Sequence, residues 1–143
     1  MPPARPGPRP QVIALDGDSA CISEARAAAR RFLEEARDTH RLPVSETIVE
    51  NTQLIVSELV TNVVKYAPGP GLLHLSIDDT GLSVRVEDSG PAQPLVREAD
   101  PHRIGQHGLE IVALLARTLT VSSTGTGKQI TATLPLTAPA PTP

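Results

Sequence analysis

Polar residues recur at one-turn intervals along one predicted helix. Glu58, Asn62 and Tyr66 stand at positions i, i+4 and i+8, and Lys65 lies beside Asn62. Residues four apart share a helix face, so the carboxylate and the amide are expected side by side. That pair suits Mg²⁺ held beside a polyphosphate, because Mg²⁺ takes few protein ligands, and a carboxylate there can accept a proton from an attacking hydroxyl. An ordinary solvated helix face has the same composition, so the pattern alone leaves both interpretations open.

A second polar cluster falls where a predicted strand stops. Asp88-Ser89-Gly90 follows the alternating run LSVRVE. An aspartate at this point can accept a hydrogen bond from an adenine amino group, and a glycine lets a flat base approach the backbone. A simple strand-ending turn uses the same residues, so this motif also has two interpretations.

A glycine-containing segment, GQHGL at 105–109, opens the third predicted helix. A helix N-terminus can hold phosphate through unpaired backbone N–H groups and positive potential, without many basic side chains. A flexible junction between loop and helix is the alternative. The later pair Gly127-Lys128 does not form a P-loop, since Gln129 stands where that motif needs Ser or Thr.

The elements that must position these clusters alternate between strand-like and helical segments. Asp18 and Ser19 can cap the first helix, and Ser45 opens the second. The sum is an α+β two-layer sandwich with three helices on one face of a mixed, mostly antiparallel sheet. The predicted strands cover 11–15, 72–78, 82–88, 118–123 and 128–135, and the predicted helices cover about 19–36, 45–66 and 107–118.

The core of this fold must be aliphatic, because Phe32 and Tyr66 are the only aromatic residues. In the second helix one stripe at helical spacing is expected to pack on the sheet. It comprises Ile48, Thr52, Ile55, Leu59 and Val63.

Composition excludes several classes of protein. The 143 residues are the length of a single domain, and 13 basic against 16 acidic residues leave a net charge of −3. Such a chain lacks the basic footprint of nucleic-acid and membrane-surface binders, and no apolar run approaches the roughly 18 residues of a membrane span. The lone Cys21 cannot form an internal disulfide, so a cytoplasmic location is expected.

The ends of the chain differ from its middle. Nine of the fifteen prolines fall in residues 1–10 and 135–143. Disordered proline-rich tails are therefore predicted at 1–10 and 136–143, around a folded unit at 11–135.

The order of the motifs resembles that of one family. The segments ELVTNVVKYA (58–67), VEDSG (86–90), GQHGLEIVALLA (105–116) and GKQITATLP (127–135) are similar to the N, G1 and G2 boxes and the final strand of the GHKL ATP-binding superfamily. The resemblance covers about residues 45–135. Because the chain is small, it is most similar within that superfamily to stand-alone anti-sigma-factor serine/threonine kinases and their ATP-binding regulatory relatives.

The resemblance implies a role for each matching residue. Asn62 would coordinate Mg²⁺, Glu58 would be the general base, and Lys65 would approach the phosphates of ATP. Asp88 and Gly90 would bind adenine, and residues 91–104 would form a lid over the nucleotide. The other positions implied in nucleotide binding are Gly105, His107, Gly108, Leu109 and Lys128. Two residues depart from the family pattern: Gln106, where glycine is frequent, and Lys128, where threonine often follows the glycine of the final strand.

The function implied is that of an ATP- and Mg²⁺-dependent anti-sigma regulator. It would bind a sigma factor and phosphorylate Ser or Thr of an anti-anti-sigma (STAS-type) antagonist, which would make it a protein kinase, and a homodimer is compatible with this class. Two alternatives stay open. One is a non-catalytic ATP-binding interaction module, and the other is a detached histidine-kinase catalytic domain.

Overall fold

The computed structural model describes residues 7–66, 69–88, 104–123, 125 and 127–137. In that part of the chain three helices pack on a five-stranded sheet, and none of these helices is long and apolar enough to cross a membrane. The elements are, in chain order, β1 (Gln11–Leu15), α1 (Ala20–Asp38), α2 (Glu46–Tyr66), β2 (Gly71–Asp78), β3 (Gly81–Asp88), α3 (Ile104–Leu115), β4 (Thr118–Ser123) and β5 (Lys128–Leu134).

The strands lie in the order β1-β2-β3-β5-β4. The predicted α+β two-layer architecture is confirmed; the sequence allowed for a mixed sheet, whereas all four described pairings are antiparallel. Central β3 pairs with β2 and β5, and its residue Glu87 lies opposite Gln129. The end of β3 therefore lies beside the start of β5.

Strand periodicity decides which side of the sheet Asp88 occupies. Leu82, Val84 and Val86 are buried at alternate positions of β3, while Arg85 between them is only half-buried. Successive strand residues point to opposite faces, so Asp88 continues the inward-facing series. It is 9% exposed, and the strand thus delivers a carboxylate to the side of the sheet that the helices cover.

The two long helices begin where polar caps predict. The Ser45 hydroxyl accepts a hydrogen bond from the N–H of Ile48 at 3.2 Å, which satisfies one unpaired donor of the first turn of α2. At α1 the cap comes from Asp18, whose Oδ1 accepts from the N–H of Ala20 at 3.2 Å, while Ser19 makes no side-chain cap.

Helix α2 is the central helix of the layer, since it packs against both α1 and α3. Its predicted stripe is confirmed, because all five members (Ile48, Thr52, Ile55, Leu59 and Val63) are buried. Cys21 of α1 is buried too, and burial raises the pKa of its thiol. It is a core residue of the α1 face.

Helix α3 lies three residues earlier than the sequence predicts, at Ile104–Leu115 instead of about 107–118. Its end is determined by the sheet. The N–H of Arg117 donates to the carbonyl of Thr133 at 2.7 Å, and Thr118 then pairs with Thr133 as β4 begins. The GQHG segment at 105–108 lies inside the first turns of the helix, whereas the predicted start at about 107 left Gly105 and Gln106 just before it.

Candidate functional site

Glu58 and Asn62 lie one turn apart on α2, as their spacing predicts. Asn62 is 8% exposed, Glu58 is half-buried, and Lys65 in the last turn is exposed. Neither the Glu58 carboxylate nor the Asn62 amide makes a hydrogen bond or ion pair with another described residue. The polar atoms of the two side chains are therefore available to a ligand.

Gly108 of α3 lies directly against Glu58. A Cβ atom at position 108 would be 2.6 Å from Oε1 of Glu58, closer than non-bonded atoms pack. The absence of a side chain in α3 therefore leaves space for the carboxylate of α2 between the two helices.

The first turn of α3 supplies backbone donors near this carboxylate. Gly105 and His107 lie in that turn, and Gly108 follows it. The first N–H groups of a helix have no partner within the helix and carry positive potential, which makes this end of α3 suited to bind phosphate oxygens. The side chains of residues 104–107 lie outside the described part of the structure.

Asp88 is held by the start of β5. Its Oδ1 accepts a hydrogen bond from the main-chain N–H of Lys128 at 3.1 Å, and no described residue donates to Oδ2. Gly127 allows the two strands to approach this closely, because a Cβ there would collide with the Asp88 carbonyl oxygen and lie 2.7 Å from Oδ1. One oxygen is thus fixed while the other is left for a ligand.

These contacts lie around one helix. Helix α2 packs against α3, β3 and β5, so the elements that carry the Glu58–Gly108 contact also touch those that carry the Asp88–Lys128 hydrogen bond. The tertiary structure therefore gathers the N, G1, G2 and final-strand segments, which are separate in the sequence.

The other predicted site residues either lie outside the described residues or contribute through packing and main-chain contacts. Gly90 and the predicted lid up to residue 103 lie outside the described residues. Leu109 is half-buried and packs against the hydrophobic core, and Lys128 contacts Asp88 through its main chain. Gly127 was not among the predicted site residues, although it belongs to the final-strand segment 127–135 that resembles the family.

Comparison with known proteins agrees with this arrangement. Residues 21–134 match the family model of the histidine kinase-like ATPase domain. No curated protein is similar enough to count as a match.

One of three similar solved structures shares the fold. The structure of the RsbU and RsbW domains of Rv1364c from Mycobacterium tuberculosis is similar at a TM-score of 0.69 and 20% identity, over 92% of this chain and 34% of that one, so the chain spans about a third of its length. The histidine kinase domain of the blue-light activated kinase EL346 from Erythrobacter litoralis is 23% identical (TM-score 0.49, 82% and 60% covered). Histidine kinase AdeS from Acinetobacter baumannii is 13% identical (TM-score 0.47, 91% and 70% covered).

Proposed function

The chain belongs to the histidine kinase-like ATPase domain family, and on that basis we propose that it binds ATP with Mg²⁺ beside α2, α3 and the β3–β5 end of the sheet. We further propose that it is a regulator of the anti-sigma-factor type. It binds a sigma factor and phosphorylates a Ser or Thr of a STAS-type antagonist, which makes it a serine/threonine protein kinase.

The nucleotide-binding proposal depends mainly on the Asp88 carboxylate, of which only one oxygen is hydrogen-bonded to a described residue. Oδ1 of Asp88 accepts a hydrogen bond from the N–H of Lys128, and Oδ2 is kept for the adenine amino group. At the other end of the site the first turn of α3 offers N–H groups to the phosphates, and the exposed Lys65 in the last turn of α2 adds a positive charge. Recognition thus needs few basic residues, in keeping with the net charge of −3.

The residues present fit Mg²⁺ bound together with a polyphosphate. In the described part of the chain no group of three or more His, Cys, Asp or Glu side chains could hold a metal ion. Mg²⁺ keeps waters and phosphate oxygens and needs only one or two protein ligands, so the amide oxygen of Asn62 is sufficient. When bound, the ion neutralises charge on the phosphates.

Glu58 supplies the proton chemistry. The hydroxyl oxygen of the acceptor attacks the γ-phosphorus in line, the new P–O bond forms as the bond to ADP breaks, and Glu58 takes the hydroxyl proton. The N–H groups at the start of α3 stabilise the charge on the transferred group. Because Glu58 has no ion-pair partner among the described residues, its carboxylate is available for that proton.

The proposal that the chain binds a sigma factor is supported by resemblance to other proteins and not by the geometry of the site. The chain is small and its motifs are similar to those of anti-sigma kinases, and the structurally similar Mycobacterium protein contains an RsbW domain. That similarity concerns the fold, so the identity of both protein partners depends on the resemblance of the motifs.

Calorimetric titration with ATP, with and without Mg²⁺, tests the site. We expect Mg²⁺-dependent binding that Asn62→Ala weakens by at least tenfold, with Asn51→Ala of the same helix as the matched control. Absence of binding at millimolar ATP would contradict the proposal and favour a nucleotide-independent interaction module.

Phosphoryl transfer is tested separately, with labelled ATP and a STAS-type protein. We expect an acid-stable phosphoserine or phosphothreonine product, and loss of its formation in Glu58→Gln with ATP still bound. An acid-labile phosphohistidine product would identify a detached histidine-kinase domain. ATP binding without any transfer would identify a non-catalytic module.

A further inference from the structure

Gly108 lies so close to the Glu58 carboxylate that a side chain at position 108 would displace it. We propose that Gly108 is a positioning residue, which determines where the Glu58 carboxylate lies and therefore its reach to the acceptor hydroxyl. This inference rests on the proposed function, in which Glu58 is the base.

The Glu58 side chain lies against α3 at residue 108. From the Cβ position of residue 108, Oε1 of Glu58 is 2.6 Å away, Cδ is 3.6 Å and Cβ is 3.7 Å. Apart from the adjoining backbone of α3 itself, these three atoms are the nearest described atoms to that position. A methyl group at 108 would therefore meet Glu58 before any other side chain of the described structure.

Glu58 has no other anchor among the described residues, since it makes no hydrogen bond or ion pair with any of them. A glutamate side chain turns about three single bonds, and only packing or polar contacts hold it in one conformation. The close approach to Gly108 is thus a contact that limits where the carboxylate can lie.

Helix stability by itself favours a different residue here. Position 108 is the fifth residue of α3, beyond the first turn, and glycine inside a helix is much less favourable than alanine. An added methyl group would displace the end of a flexible side chain and leave the backbone where it is. We therefore expect Gly108→Ala to fold at least as stably as the wild type while moving the carboxylate.

The position of the carboxylate is measured by NMR with glutamate labelled at ¹³Cδ, the Glu58 signal being assigned from Glu58→Gln. We expect Gly108→Ala to shift that signal and to leave the melting temperature equal or higher. Leu114→Ala, on an exposed position of the same helix (84% exposed), is the control and should leave the Glu58 signal in place. An unmoved signal in Gly108→Ala would overturn the proposal.

The functional consequence is measured as kcat for phosphate release from ATP at saturating Mg²⁺ and ATP, with water as the acceptor. We expect Gly108→Ala to lower kcat at least tenfold in the wild-type background and by less than twofold in the Glu58→Gln background, because residues that act through one another are not additive. Equal losses in the two backgrounds would overturn the proposal, since Gly108 would then act on the phosphates directly.

Failure of the proposed function is distinguishable from failure of this inference. If the wild type binds ATP but transfers phosphate neither to water nor to a STAS-type protein, the catalytic assignment of Glu58 is wrong. The ¹³C shift then decides alone whether Gly108 positions the carboxylate.

Discussion

The main-chain N–H of Lys128 donates to Oδ1 of Asp88 at 3.1 Å, so the first residue of β5 holds the carboxylate that ends β3. Asp88 is 9% exposed, and hydrogen bonds to ionised acceptors are stronger than neutral ones. The relationship explains how a lysine can occupy a position where the family often has threonine: the contact uses the backbone, which every residue except proline provides.

Removing that donor should weaken nucleotide binding. Lys128→Pro lacks the N–H, and proline is tolerated at the first residue of a strand. Since a hydrogen bond to a charged group contributes about 1.5–3 kcal/mol, we expect ATP affinity to fall by about tenfold or more in a calorimetric titration. Lys128→Ala keeps the N–H, and its loss should be several times smaller. Equal losses in the two variants would mean that the lysine side chain, not the backbone, matters for binding.

Gly127 should tolerate no side chain. A Cβ there meets the carbonyl oxygen of Asp88, which belongs to the backbone and cannot move cheaply. We expect Gly127→Ala to destabilise the protein by about 1–3 kcal/mol and to lower the melting temperature by about 3–10 °C. Gly125→Ala is the matched control, because nothing lies within 4 Å of its Cβ position. Similar melting temperatures for the two variants would show that the strands are not this close.

The hydroxyl of Thr52 is an unfavourable polar group in the core. It is 0% exposed, and its hydroxyl has no hydrogen-bond partner in the described structure. Burying an unpaired hydroxyl is unfavourable, so Thr52→Val should raise the free energy of unfolding by about 1 kcal/mol. Denaturant titration should show a higher midpoint with an unchanged slope. Thr47→Val, at an exposed position of the same helix, should have little effect, and a destabilised Thr52→Val would reveal a partner for the hydroxyl.

The ion pair between Arg30 and Glu46 joins α1 to α2 at 2.9 Å. Hydrogen bonding from Arg30 lowers the pKa of Glu46 below its ordinary value of 4.5. A lowered carboxyl pKa contributes stability above the unfolded value, and that contribution is lost as the pH falls through the folded value. Glu46→Gln should therefore lower the melting temperature slightly at pH 7 and not at all near pH 2. Glu50→Gln, exposed on the same helix, is the control, and a difference that persists in acid would contradict the ion pair.

Local pattern was sufficient to predict most elements. The Ser45 cap and the stripe through Ile55 and Leu59 are properties of one helix, and both are confirmed. The boundaries of α3 were predicted less well, because the end of that helix depends on Arg117 bonding to Thr133 across the sheet. Periodicity within the helix carries no information about such a contact.

In the candidate site, too, local features could be predicted from the sequence and contacts between elements could not. The shared face of Glu58 and Asn62 follows from their spacing alone, because a helix turn is a local geometry. The accompanying carboxylate and glycine-containing helix start are likewise visible in the residue order. The roles of these residues stay predictions.

Which of these groups are in contact depends on how the helices and strands pack together. Lys128 reaches Asp88 across 40 positions of sequence, and Gly108 lies against Glu58 from a different helix. Both contacts follow from the strand order and from the packing of α3 on α2. Strand order and helix packing are set by burial of the whole core, so no repeat within a single element encodes them.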